Sequence, residues 1–124
     1  MIKEDYVSFE TAKLLKEKGF DGECLAIYYP DGRLETFDLA FNYNIPGGIS
    51  GVISAPTLQM AMKWLREVHN IAIETEWEHI WYVYIKPMTS KPSEEDYYQC
   101  ESSKYEEACE MAIKYCLENM SREE

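Results

Sequence analysis

Between Pro56 and Val68 the apolar residues Leu58, Ala61, Met62, Leu65 and Val68 recur at helical spacing, while Gln59, Lys63, Arg66 and Glu67 fall on the opposite side. That pattern predicts an amphipathic helix with one buried stripe. Pro56 suits its first turn, Ser54 is the expected N-cap and Trp64 lies at the stripe's edge. Beyond Asn70 the period drops to two. Ile71, Ile73, Thr75 and Trp77 point one way, and Ala72, Glu74, Glu76 and Glu78 the other, so a strand with one buried and one acidic face is predicted. From Ile80 to Ile85 both sets are apolar or aromatic, Trp81, Val83 and Ile85 against Ile80, Tyr82 and Tyr84, so both faces are expected to be covered or nearly so, as suits a central strand.

The N-terminal half gives a second helix and hairpin. Ser8 is positioned to cap a helix over residues 9 to 18, with Val7 and Ala12 as a hydrophobic staple and Gly19 as its left-handed end. Strand formers from Glu23 to Tyr29, the turn Pro30-Asp31-Gly32-Arg33 and then Leu34, Thr36 and Phe37 predict a hairpin. Residues 42–54 and 88–102 lack a sustained period and are expected to be long loops. A last helix starts near Ser103, capped by Ser103 with Glu106 or by Ser102 with Tyr105. Its stripe is Tyr105, Ala108, Cys109, Ala112, Ile113, Cys116 and Leu117.

The expected fold is therefore α+β, ordered α-β-β-α-β-β-α, with a small, mainly antiparallel sheet and helices on one face. Its 124 residues suit one domain over 1–124, with 1–6 and 121–124 frayed.

Charge narrows the partners. Twelve basic residues against 23 acidic ones leave a net charge of -11, and Lys13, Lys16 and Lys18 are interleaved with acids. Phosphate neutralisation needs clustered Lys and Arg, so direct nucleic-acid binding is not expected, whereas mimicry of nucleic-acid phosphate is one reading of the acidity. Cys24, Cys100, Cys109 and Cys116 show no C-x-x-C spacing and read as buried thiols. With no apolar leader and no run of 18 apolar residues, a reducing cytoplasm without membrane attachment is the expected setting.

Candidate chemistry is sparse. His69 and His79 bracket the strand bearing Glu74, Glu76 and Glu78, but the spacing does not make a metal site, and no nucleophile elbow or P-loop is present. No catalytic residue, metal or cofactor is assigned. Gly47, Gly48, Ser50 and Gly51, with Ser54 ahead of a helix, offer backbone N–H groups to a small anionic ligand. Tyr and Trp dominate interface hot spots, and their abundance here points to a protein partner or a homodimer meeting Trp64, Arg66, His69, Trp77, Tyr82 and Tyr84.

Three blocks carry a resemblance: Ser8 to Phe20, Ala55-Pro56-Thr57 through Lys63-Trp64-Leu65-Arg66-Glu67-Val68-His69, and Tyr105-Glu106-Glu107-Ala108. In these the chain resembles small uncharacterised proteins of phages and prophages of gut anaerobes. The resemblance implies a mobile-element origin and transfers no residue role, because that group has no assigned activity. The function expected is that of an intracellular accessory protein acting by binding a protein partner. The alternatives are sequestration of a small anionic ligand such as a host signalling nucleotide, and acidic mimicry.

Overall fold

The computed structural model describes residues 2–46, 48, 51–89 and 97–120. Three helices and six strands follow in the order α1 (Phe9–Glu17), β1 (Cys24–Tyr28), β2 (Leu34–Phe41), β3 (Ile53–Ser54), α2 (Leu58–His69), β4 (Ile71–Trp77), β5 (Trp81–Pro87), β6 (Tyr98–Ser102) and α3 (Tyr105–Asn119). The strands form two antiparallel sheets, β2-β1-β3 and β4-β5-β6. The α+β class and the antiparallel pairing hold; the expected order lacks β3 and β6, and the strands form two sheets where one was expected.

Local chemistry sets the first half. Ser8 Oγ accepts the Thr11 N–H at 3.2 Å to cap α1, and Gly19 just beyond the helix has φ +92°. The β1–β2 hairpin starts in register, Tyr28 opposite Leu34 and Ala26 opposite Thr36, and then slips so that Cys24 faces Phe41. Phe37, Asp38, Leu39 and Ala40 consequently stand opposite Leu25 alone, a large bulge on an outer strand whose every residue is exposed.

The loop expected over 42–54 ends in β3, which pairs with the other edge of β1. Two residues are too few for a periodic signal, and long-range bonds make the strand. Ser54 Oγ accepts the Tyr43 N–H at 2.9 Å, Asn44 Oδ1 accepts the Ser54 N–H at 3.0 Å, and Asn44 Nδ2 donates to the Phe20 carbonyl at 3.1 Å. Ser54 therefore does not cap α2. Thr57 does, accepting the Met60 N–H on Oγ1 at 3.2 Å, and Asn70 ends the helix at φ 56° with its N–H on the Leu65 carbonyl. The stripe also differs from expectation at its C-terminal end. Val68 is 56% exposed, whereas Trp64 is buried because Phe20 and His69 pack edge-on to it, centroids 5.5 and 4.6 Å away.

In the second sheet β5 is central, as expected, but the expected cover on both faces is not found among the described residues: Val83 and Ile85 are buried on the helix side, while Tyr82 and Tyr84 are half-buried on the other, because the helices pack on one face. The loop expected over 88–102 closes with β6, whose Cys100 and Ser102 point inward and are buried, while Gln99 and Glu101 point to solvent. Pro92 and Glu94-Glu95-Asp96 lie outside the described residues. Neither expected cap of α3 forms. The helix starts after Lys104, and Ser102 Oγ instead donates to Glu107 at 2.6 Å and accepts the Lys104 N–H at 3.2 Å. The stripe from Ala108 to Leu117 is buried as predicted.

One core joins these parts. Leu15 of α1, Ala26 of β1, Leu65 of α2, Val83 of β5 and Ile113 of α3 belong to the same buried cluster. Helices α2 and α3 pack against the second sheet, through β4 and through β5 and β6 respectively. Among the described residues no helix packs on the other face of the second sheet.

Candidate docking face on the second sheet

Period-two alternation puts the odd-numbered residues of β4 and β5 on the helix side, so Glu74, Glu76, Tyr82, Tyr84 and Lys86 share the outer face. Strand β6 adds Gln99 and Glu101. The register aligns these residues in two cross-strand rows, Glu76–Tyr82–Glu101 and Glu74–Tyr84–Gln99. Directly opposed side chains in such rows have Cβ atoms about 5 Å apart, close enough to act on one ligand group together.

The rows are ordered by their own contacts. The Tyr82 and Tyr84 rings stack at 6.5 Å with planes 15° apart, and Tyr84 Oη donates to Glu76 Oε1 at 3.2 Å. Lys86 Nζ donates to Glu74 Oε1 at 2.6 Å and stands 5.9 Å from the Tyr84 ring centroid. An open concavity of about 680 Å³ lies here, lined by Glu74, Thr75, Glu76, Tyr84 and Lys86. The bond to Glu74 pushes the Lys86 ammonium above its ordinary range, so it is charged at neutral pH. Lost hydration, and then the bond to Glu76, push the Tyr84 phenol up. The face thus offers carboxylate acceptors and aromatic π-surfaces, a chemistry suited to binding.

The residues expected to meet a partner are divided by the fold. Tyr82 and Tyr84 come together on the outer face. Trp77 sits at the tip of the β4–β5 hairpin, 61% exposed and 6.2 Å from the His79 ring. Arg66 is exposed on α2, whereas Trp64 is core and His69 is half-buried against it. The residues expected to bind an anion are only partly described. Ser54 is fully buried with both its N–H and its hydroxyl oxygen engaged by the preceding loop, and Gly47 and Ser50 lie outside the described residues. Gly48 is exposed. Gly51 has a backbone role: its φ is +79°, and a Cβ there would stand 2.6 Å from Pro30 Cγ. The N-terminus of α2 is occupied by the chain itself, since Asp5 O accepts the Leu58 N–H at 2.9 Å and Thr57 takes that of Met60.

Sequence reasoning missed Glu101 and Gln99 because it read their strand as loop. Alternation of Tyr98, Cys100 and Ser102 with Gln99 and Glu101 was the signal that could have found them. Among the described residues no group of three His, Cys, Asp or Glu is placed to hold a metal ion, and no helix is long and apolar enough to cross a membrane. All four cysteines are free and buried. Burial pushes the Cys24 and Cys116 thiols up to about 12 and Cys109 to about 11, the opposite of what a nucleophilic thiolate needs.

Comparison of the chain with protein-family models, with curated proteins and with solved structures finds no match. The functional reading accordingly rests on the geometry of this face.

Proposed function

We propose that this is an accessory protein of phage or prophage origin that acts inside the cell by binding a protein partner on the outer face of its second sheet. The observation that carries the reading is the Tyr82–Tyr84 stack, displayed on a three-stranded sheet face that no helix covers among the described residues, beside an open concavity. Stacked tyrosines present a large, rigid, amphipathic contact area at low entropic cost, which makes them effective interface anchors. Four free, buried thiols fit a reducing compartment. The origin rests on the three resembling blocks alone.

A photo-crosslinking residue at Gln99, compared with one at Lys13 on α1, tests the reading in cells that produce the protein. A discrete adduct from position 99 that disappears with Tyr82→Ala supports it. Identical adducts from both positions, or none from position 99, refute it.

A second reading, self-association, is favoured by a different surface. Among the described residues strand β2 is an edge of its sheet, with Leu34, Phe37, Leu39 and Phe41 exposed, and an apolar edge is a template for pairing with another strand. Sedimentation at high concentration decides it: a dimer that Leu39→Lys returns to monomer assigns the edge to a second copy.

A further inference from the structure

The outer face holds one cation of its own. In the Glu74–Tyr84–Gln99 row, Lys86 supplies an ammonium that is salt-bridged to Glu74 and stands over the Tyr84 ring. In the neighbouring row a glutamate stands in register on each side of Tyr82, Glu76 on one strand and Glu101 on the other, and Glu76 also accepts the Tyr84 hydroxyl. No ion pair found among the described residues involves Glu76 or Glu101. An aromatic face flanked by carboxylates binds an ammonium or guanidinium through its quadrupole and its charge partners together.

We infer that the Glu76–Tyr82–Glu101 row seats a lysine or arginine side chain of a basic polypeptide segment laid across the outer face of the second sheet. The inference rests on the proposed partner-binding role of that face and specifies the chemistry of the partner. Charge complementarity selects this occupant. A second copy of the chain carries the same net charge of -11 and would bring carboxylates against Glu76 and Glu101, and a nucleic acid would bring phosphates. A polypeptide also suits the geometry, since a three-stranded face with two ring-bearing rows and a concavity of about 680 Å³ offers room for several successive side chains. Lys86 is then a built-in competitor: it fills the Glu74 seat and repels a second cation beside it.

Fluorescence anisotropy with synthetic octapeptides tests this on the intact chain. The probes are alternating Arg-Thr, Gln-Thr and Glu-Thr sequences, with spermine as a non-peptide cation. The Arg-Thr peptide should bind and the other two peptides should not. The double substitution Glu76→Gln/Glu101→Gln should weaken binding about tenfold or more, and Tyr82→Leu should weaken it about fivefold. The charge-matched control Glu17→Gln/Glu23→Gln, on exposed positions away from this sheet, should leave it unchanged. Lys86→Met should strengthen binding, because it opens the second seat, and no loss of folding can imitate a gain. Equal weakening by the two double substitutions would show attraction to net charge alone and overturn the inference. So would spermine binding as tightly as the peptide with the same dependence on Tyr82, or an unchanged affinity in Lys86→Met. Absence of peptide binding while the position-99 adduct persists would sink the basic-segment assignment and leave the partner-binding face standing. Loss of that adduct as well would remove both.

Discussion

Removing the Glu110 carboxylate should destabilise the fold by about 3 kcal/mol, because a residue of α3 completes the N-terminal cap of α1. The carboxylate accepts Ser8 Oγ at 2.6 Å and the Ser8 N–H at 3.2 Å, and also takes the hydroxyl of Thr11. Thr11 is fully buried, so Glu110→Ala takes away the charged acceptor of its hydroxyl and leaves it Ser8 Oγ at 3.1 Å, an oxygen that already accepts the Thr11 N–H. A buried donor that loses its acceptor costs about 1–3 kcal/mol. Loss of a negative charge at the positive end of α1 adds about 0.5 kcal/mol, and the partly exposed Ser8 bonds contribute about as much again. For a chain of this size, ~3 kcal/mol lowers the melting temperature by about 10 °C. Urea unfolding followed by circular dichroism measures the change. Glu110→Gln keeps the shape and one acceptor, and should lose about half as much. Thr11→Val removes the donor. The double variant Thr11→Val/Glu110→Ala should therefore lose about 1.5 kcal/mol less than the sum of the singles, since no buried hydroxyl is left without its acceptor. A Glu110→Ala cost below about 0.5 kcal/mol, or strict additivity in the cycle, would refute the reasoning.

Three further outcomes are expected. Gly51→Ala meets both a positive φ and Pro30 Cγ at 2.6 Å, whereas Gly19→Ala meets only the φ; the first should cost about 2 kcal/mol and the second about 1 kcal/mol by urea unfolding, and equal costs would contradict the close approach. Asn44→Ala cuts the links to Ser54 and to the Phe20 carbonyl, so hydrogen exchange at Ser54 should accelerate by at least tenfold while amides of α3 stay protected; unchanged exchange at Ser54 would count against the latch. The thiols of Cys24, Cys109 and Cys116 stand at about 12, 11 and 12 in the fold, raised by burial from the ordinary 9.0. Above pH 9 the unfolded chain therefore binds fewer protons than the folded one, and stability must fall between pH 9 and about 12 and be fully present below pH 9. A urea midpoint that drops between pH 8 and 10, with a shallower drop in Cys116→Ala, checks this; a midpoint rising with pH would contradict it.

Sequence alone went far with the regular elements. The 3.6 period of Leu58, Ala61, Met62 and Leu65, the alternation from Ile71 to Trp77 and the two-faced pattern of β5 each depend only on which side of a single element meets the core. They were legible because burial acts on every residue of such an element in the same rhythm. The α3 stripe and the Ser8 cap were readable for the same reason, as was the pairing of Tyr82 with Tyr84 on one face.

What the tertiary structure decided were the contacts made by residues that no local rhythm marks. Ser54 could have capped α2, but the Asn44 side chain and the Tyr43 N–H claim it from the preceding loop, and Thr57 caps the helix instead. Trp64 could have faced a partner, yet Phe20 covers it from the turn after α1. The docking face divides in the same way. Alternation set Glu74 with Glu76 on one face of their strand and Tyr82 with Tyr84 on one face of theirs, whereas the β4–β5 register brought the two pairs together and Glu101 joined them when β6 paired with β5. A charge cluster assembled across three strands is set by register, and register is a property of the folded sheet rather than of any one segment.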